Sequence, residues 1–233
     1  MGWSGINYLV ACCINRNMGI PAEKWIGDRF GATFLLRSTS GEARGPYEVT
    51  SLLPLTNCVD ATLFEDDDGT LYFLWQNGMV ARLTDNLDAL IDVRSVWQKP
   101  YPVEPVREGV HLFKHDGLYH MALTAWSWEK EGGGYTYCHV GHGSPKAATY
   151  DVLVATSKSV YGPYGPRYTS ITGGGHGNHF QDRDGHWWSC VFACGSDKIT
   201  QSRVGFCERP ALIPMRWTDG RILPAYLPDG GTK

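Results

Sequence analysis

Three stretches of the chain share one pattern of apolar and polar positions. Each has an apolar run, a short polar turn that contains Gly, and a second apolar run, which predicts a β-hairpin whose Gly supplies the positive φ of the turn. The stretches are VDATLFEDDDGTLYFLW (59–75), EGVHLFKHDGLYHMALTA (108–125) and GHGNHFQDRDGHWWSCVF (175–192).

The three hairpins also share an ionisable residue at one position. When they are aligned on their turn glycines, it lies nine residues before the glycine; the residues are Asp60, Glu108 and His176. Turn spacings of 48 and 68 residues are typical of β-propeller blades with variable outer loops. The inner strands of such blades line a central channel, so the three side chains are expected to meet at its mouth. Three unrelated hairpins with polar strand starts are the alternative.

The rest of the chain fits a series of four such units. Gly162-Pro163-Tyr164 repeats Gly45-Pro46-Tyr47, and the first unit is expected to lack most of its inner strand. Residues 129–148 are rich in Gly and predict a long loop of the kind that borders a site. No linker or shift in composition marks a second domain, so residues 1–233 are predicted to form one all-β domain.

Composition excludes two classes of partner. The net charge is −3 and no basic stripe is present, so we expect no nucleic acid. No apolar run approaches the roughly 18 residues of a membrane span, so we expect no membrane partner. The N-terminal segment MGWSGINYLVACC lacks the basic region and cleavage site of a signal peptide, and the compartment is left open.

Four segments, in order along the chain, resemble glycoside hydrolase family 43 and related five-bladed β-propeller glycosidases. The hairpin at 59–75 is similar to the family segment with its second Asp, and that at 108–125 to the Glu-Gly-Pro segment, with Val110 in place of Pro. ATSKSVYGPY (155–164) resembles the Ser…Gly-Pro strand, and GGGHGNHFQDRDGHWW (173–188) resembles the channel His segment. The resemblance implies a five-bladed propeller of which about four blades are present, so that the domain is N-terminally incomplete relative to the family.

The resemblance also implies roles for the aligned residues. Glu108 would be the general acid of an inverting glycosidase, and Asp60 would orient it and raise its pKa. A carboxyl group that donates a proton near neutral pH needs such a neighbour or a desolvated pocket. His176 would line the channel and bind substrate, a water or a metal ion such as calcium, although a neutral His hydrogen-bonded between blades is the alternative. No cofactor is required by this chemistry.

Further residues are candidates for binding sugar. Trp126 and Trp128 follow the Glu108 hairpin and are suited to stack on sugar rings, or else pack between blades. Arg209 follows Phe206-Cys207-Glu208, where relatives often read Phe-Arg-Glu. It would supply the guanidinium, and loss of this sugar contact is the alternative. His111 fits neither phase of the alternation in its strand.

The chain departs from the family in one respect that bears on activity. The family's general-base Asp lies on a first blade that has no counterpart here, so we assign no base. The expected function is hydrolysis of arabinose-, xylose- or galactose-type residues of oligo- or polysaccharides. The alternatives are a non-catalytic carbohydrate-binding propeller and a structural propeller for protein partners. A homo-oligomer that covers the open edge, or closure as a smaller ring, is also expected.

Overall fold

The computed structural model describes eight stretches of the chain, namely residues 8–12, 33–53, 55, 58–96, 108–129, 135–137, 149–193 and 209–225. All helices and strands assigned within these stretches are β-strands, and none of the described residues forms a helix long and apolar enough to cross a membrane. By its internal contacts the chain divides into two compact units, Met1–Val96 and Trp97–Lys233.

The first unit contains two antiparallel sheets in which neighbours in sequence are neighbours in space. The three-stranded sheet consists of β1 (Tyr8–Cys12), β2 (Thr33–Ser38) and β3 (Tyr47–Leu53). The four-stranded sheet consists of β4 (Thr62–Glu65), β5 (Leu71–Trp75), β6 (Met79–Leu83) and β7 (Leu90–Ser95). One core cluster of this unit is built from side chains that include Leu53, Phe73 and Trp75.

The second unit also contains two antiparallel sheets. One consists of β8 (Glu108–His115), β9 (Leu118–Glu129), β10 (Tyr135–Tyr137), β11 (Thr149–Ser157) and β12 (Tyr168–Ile171), with β9 at its centre between β8, β10 and β11. The other consists of β13 (Asn178–Gln181), β14 (Trp187–Ala193), β15 (Arg209–Thr218) and β16 (Arg221–Pro224). A core cluster that includes Val152, Val191 and Ile222 joins the two sheets.

The three hairpins predicted from the Gly-containing turns are present. Between β8 and β9, Asp116 and Gly117 have φ of 48° and 73° and connect a paired His115 and Leu118. Two consecutive residues with positive φ define a type I′ turn, which explains the Asp-Gly pair. The other two hairpins share a longer turn, in which the N–H of Gly69 donates to Asp66 and that of Gly185 donates to Asp182.

The two Gly-Pro-Tyr segments also adopt one structure. Gly45 and Gly162 have φ of 78° and 77°, and each is followed by a cis proline. The hydroxyl of Tyr47 donates to the carbonyl of Ala43, and that of Tyr164 donates to the carbonyl of Val160, four residues back in both cases. This repetition supports the interpretation of the chain as a series of related blades.

The predicted fold class is therefore confirmed, because four antiparallel sheets follow one another along the chain. The predicted loop at residues 129–148 is wrong in part. Strand β9 continues to Glu129, and Tyr135–Tyr137 pairs with it as β10. Aromatic and β-branched residues favour strands, and the composition WSWE and YTY at these positions outweighs the glycines at 132–134. The predicted turn at Gly5 lies outside the described residues.

Candidate active site

Glu108 is the first residue of β8, and a β-bulge sets its direction. It lies opposite Thr124 on β9, but the register shifts between Glu108 and His111. Gly109, within the bulge, has a φ of 66°. A bulge of this kind bends a strand and redirects a side chain. The Glu108 side chain is 44% exposed, so it is open to a ligand while its neighbours are more buried.

Two side chains of the second unit converge on one oxygen of Glu108. The hydroxyl of Tyr150 donates a short hydrogen bond to Glu108 Oε1. His176 Nε2 lies 3.4 Å from the same oxygen, and its side chain is 29% exposed. The rings of Tyr150 and His176 lie side by side, with centroids 5.9 Å apart. A carboxylate with a phenol and an imidazole on one oxygen is suited to hold or release a proton.

The loop before β13 holds His176 in a constrained position. Its backbone N–H donates to Thr124 Oγ1 at 2.9 Å, and its φ is 47°. Gly109 allows this approach, since a Cβ at that residue would lie 3.2 Å from His176 Cγ and Nδ1. The glycine that follows Glu108 therefore makes room for the histidine beside it.

Strand β11 is attached to the same loop by its backbone and by a buried carboxylate. The carbonyl of Tyr150 accepts from the N–H of Gly175 at 3.0 Å. Asp151, which is 3% exposed, accepts from the N–H of Gly173 at 2.9 Å through its Oδ1. These contacts fix Tyr150 and His176 relative to each other.

Asp60 lies in the first unit, two residues before β4. Its φ is 53°, close to the 47° of His176, which also lies two residues before the first strand of its sheet. The hairpin position inferred from the sequence is therefore equivalent in backbone conformation at these two residues. The proximity of Asp60 to Glu108 stays a prediction.

The other residues expected to bind sugar are placed by their backbone alone. Trp126 and Trp128 lie within β9, opposite Tyr150 and Thr136, rather than after the hairpin. Arg209 is the first residue of β15 and pairs with Ala193. The side chains of all three lie outside the described residues, as do residues 206–208, so their binding roles stay predictions.

Three histidines pack around Phe113 in the second unit, of which His120 and His179 are buried and His111 is partly exposed. We call His111, His120 and His179 the histidine cluster. Their ring centroids lie 6.0, 5.1 and 5.2 Å from that of Phe113. His111 Nε2 donates to the carbonyl of His179 at 2.8 Å. Burial lowers the pKa of His111, that of His120 to about 4 and that of His179 to about 3, because a charged ring would lose its hydration. These rings are held neutral and serve packing.

A group of metal-ligating residues lies in the turn between β13 and β14. Asp182, Asp184 and His186 each offer a ligand atom within 4.8 Å of the others. Asp182 already accepts from the backbone N–H of Asp184 and of His186, and from Trp188 Nε1 at 2.8 Å. The Trp188 hydrogen bond, followed by those from the backbone, lowers the pKa of Asp182. The group is explained by the structure of the turn.

Sequence reasoning missed Tyr150 and Thr124. Thr124 could have been found by counting across the hairpin. Glu108 lies seven residues before His115 (115 − 108) and Thr124 lies six residues after Leu118 (124 − 118), and the bulge accounts for the difference of one residue. Tyr150 lies 42 residues after Glu108 in the sequence, and its strand β11 is separated from β8 by β9 in the sheet. No local pattern therefore indicates this contact.

Comparison with known proteins identifies the family to which these elements belong. The family model described as glycosyl hydrolases family 43 matches residues 8–222. The chain belongs to this family. The all-β architecture with about four of the five propeller blades, expected from the sequence, is that of family 43.

Individual relatives in the family are similar to only part of this chain or are themselves much longer. A β-D-galactofuranosidase, xynD, of Aspergillus niger is 30% identical over an alignment of 122 residues, and the match covers 48% of this chain and 34% of the relative. The structure of the family 43 BlXynB protein of Bacillus licheniformis aligns with 96% of this chain and 41% of its own, with 21% identity and a TM-score of 0.69.

Two further solved structures share the fold. A xylan β-1,4-xylosidase of Bacillus halodurans C-125 aligns with 99% of this chain and 42% of its own, with 20% identity and a TM-score of 0.66. An exo-1,5-α-L-arabinanase from a bovine ruminal metagenomic library aligns with 97% and 76%, with 15% identity and a TM-score of 0.66. This chain therefore spans between a third and a half of the length of most of these relatives.

Proposed function

We propose that this family 43 chain is a glycosidase, or the major part of one, in which Glu108 is the general acid. The observation that carries the proposal is the carboxyl group of Glu108 at the start of β8, with Tyr150 and His176 on one of its oxygens. Glu108 donates its proton to the glycosidic oxygen as the bond to the sugar carbon breaks. A water adds to that carbon from the opposite face and loses a proton to a base, which inverts the configuration.

The second carboxylate of this proposal is Asp60, which orients Glu108 and favours its protonated form. Two carboxylates close together cannot both ionise easily, and this effect keeps one of them protonated near neutral pH. The general base stays unassigned. In inverting enzymes it lies about 6.5–9.5 Å from the acid, a gap that accommodates the attacking water.

The proposed substrates are oligo- or polysaccharides with arabinose-, xylose- or galactose-type residues. The similar proteins support this range, since they include a galactofuranosidase, a xylosidase and an arabinanase. Trp126, Trp128, His176 and Arg209 are proposed to contact the sugar. No step requires a cofactor. Calcium prefers oxygen ligands, so a calcium ion near His176 would contact the ring through a water.

Hydrolysis assays on a substrate panel test this function. Purified protein is incubated with 4-nitrophenyl arabinofuranoside, xyloside and galactofuranoside, and with arabinan and xylan. We expect release of at least one product, loss of this release in Glu108→Gln, and its retention in Glu65→Gln, because Glu65 is an exposed residue of β4. Calorimetric binding of a sugar without any product would contradict catalysis and support the carbohydrate-binding alternative.

Association with a second copy is a further part of the proposal. Phe180 is 40% exposed and Leu212 is 63% exposed. The register of β13, β14 and β15 places both on one face of their sheet. Exposed apolar groups on a sheet face favour association. Light scattering should give a dimer mass that falls to the monomer in Leu212→Glu, and a monomer mass for the unaltered chain at every concentration would contradict this.

A further inference from the structure

Contacts of its backbone and its ring hold Tyr150 in place, in addition to the hydrogen bond of its hydroxyl. Tyr150 is 7% exposed, and it is the second residue of β11. Its backbone carbonyl accepts from Gly175, and its ring lies against that of His176. Any movement of the ring away from Glu108 would also lose its contact with the His176 ring. A donor that is fixed in this way sets the direction of the group that accepts from it.

We infer that Tyr150 is a positioning residue for Glu108, an inference that rests on the proposed role of Glu108 as proton donor. Its hydroxyl holds the carboxyl group in one orientation and stabilises the ionised form, because a hydrogen bond to a charged acceptor is stronger than one to a neutral acceptor. His176 Nε2, 3.4 Å from the same Oε1, assists Tyr150. Tyr150 thus opposes the effect expected of Asp60, and the balance of the two sets the pH at which Glu108 loses its proton.

The reaction places two requirements on Glu108, one on its pKa and one on its position. A general acid is most efficient when its proton affinity is matched to the working pH, and when it is held within hydrogen-bond reach of the leaving oxygen. A carboxylate next to Glu108 would favour retention of the proton. A buried phenol on the same carboxyl group limits that effect and at the same time prevents rotation of the side chain.

The test is Tyr150→Phe, which keeps the ring and removes only the donor. The first readout is the ¹³C chemical shift of the glutamate δ carbons in labelled protein, in which the Glu108 signal is identified by its absence in Glu108→Gln. We expect the titration midpoint of this signal to rise by about one pH unit in Tyr150→Phe, as the loss of one charge-stabilising hydrogen bond implies. The second readout is the pH profile of hydrolysis, whose alkaline limb should move upward by a similar amount, while kcat falls by about tenfold and KM changes little.

Tyr164→Phe is the matched control. Its hydroxyl donates to the carbonyl of Val160 at 2.9 Å, in the turn after β11 and away from Glu108, so neither the midpoint nor the pH profile should move. An unchanged Glu108 midpoint in Tyr150→Phe would overturn the inference. A raised midpoint in a protein that hydrolyses none of the substrates would support the action of Tyr150 on Glu108 and would instead overturn the proposed hydrolase function.

Discussion

Stability at acidic pH should depend on His179, which is the most buried member of the histidine cluster. Its side chain is 1% exposed, and Ser170 Oγ lies 3.1 Å from its Nε2. Because the Ser170 hydroxyl donates to the carbonyl of Ile222 at 2.7 Å, it must accept from His179 Nε2–H. A second proton would therefore have to bind Nδ1, which is buried and has no hydrogen-bond partner among the described residues.

The magnitude follows from the pKa of His179. Burial lowers it from the ordinary 6.5 to about 3, so between these values the unfolded chain binds a proton that the folded chain does not. The free energy of unfolding is therefore unaffected by the titration of His179 above pH 6.5, and it decreases as the pH falls from 6.5 towards 3. Each pH unit costs about 1.4 kcal/mol, which gives roughly 2–3 kcal/mol between pH 6.5 and 4.5 from this residue alone. The other members of the histidine cluster also contribute to the pH dependence, and the charges of His115 and Asp116 act on the pKa of His120. A variant at residue 179 leaves these contributions in place.

The assay compares the pH dependence of the free energy of unfolding. Urea unfolding is followed by tryptophan fluorescence from pH 4.5 to 7.5 for the unaltered chain, His179→Gln and His186→Gln. Glutamine retains a donor for Ser170 but does not titrate. In His179→Gln, the slope of the free energy of unfolding against pH should therefore fall by about 1.4 kcal/mol per pH unit, the contribution of one proton. His186, whose side chain is 72% exposed, is the matched control, and its replacement should change the slope less than that of His179, because an exposed histidine keeps its hydration on folding. Parallel curves for all three proteins would contradict a contribution of His179 to the pH dependence of stability.

Two glycines give further predictions. Gly109→Ala should lower hydrolysis more than Gly117→Ala. Both substitutions carry the cost of a positive φ, about 1–2 kcal/mol, but only a Cβ at residue 109 would lie 3.2 Å from His176. Equal activities of the two variants would contradict a steric clash with His176. Gly177→Ala should lose about 1–3 kcal/mol in thermal unfolding, because its Cβ would lie 2.6 Å from Val152 Cγ2, whereas Gly165→Ala, with a nearest contact of 3.6 Å, should lose little; equal melting temperatures would contradict the packing.

The hairpins could be predicted from the sequence because their determinants are local. The Asp116-Gly117 pair specifies a turn with two positive φ angles, and the alternation around it specifies two strands. Aligning the turns was sufficient to single out Asp60 and His176, which share a left-handed backbone conformation. Strand-forming potential and turn chemistry together therefore gave the blades and the candidate residues at their starts.

Other features depend on contacts that no local pattern contains. His111 fitted neither phase of its strand because Leu112 and Phe113, which lie on opposite faces, are both buried. Tyr150 reaches Glu108 only after β8, β9 and β11 have paired. The pairing of Tyr135–Tyr137 with β9 likewise requires the sheet to form first. Glu108 and its neighbour His176 were visible in the sequence, whereas Tyr150 and Thr124, which hold them, were not.

The dependence of hydrolysis on the leaving group tests the role of Glu108 most directly. Cleavage rates of the unaltered chain and of Glu108→Gln are compared on an unactivated disaccharide and on an aryl glycoside with a very good leaving group, such as 2,4-dinitrophenyl. General-acid assistance is worth about 10²–10⁴-fold when the leaving oxygen must be protonated, and much less when it leaves readily as a phenolate. We expect a loss of that size on the disaccharide and near-normal cleavage of the aryl glycoside. Equal loss on both substrates would contradict Glu108 as the proton donor.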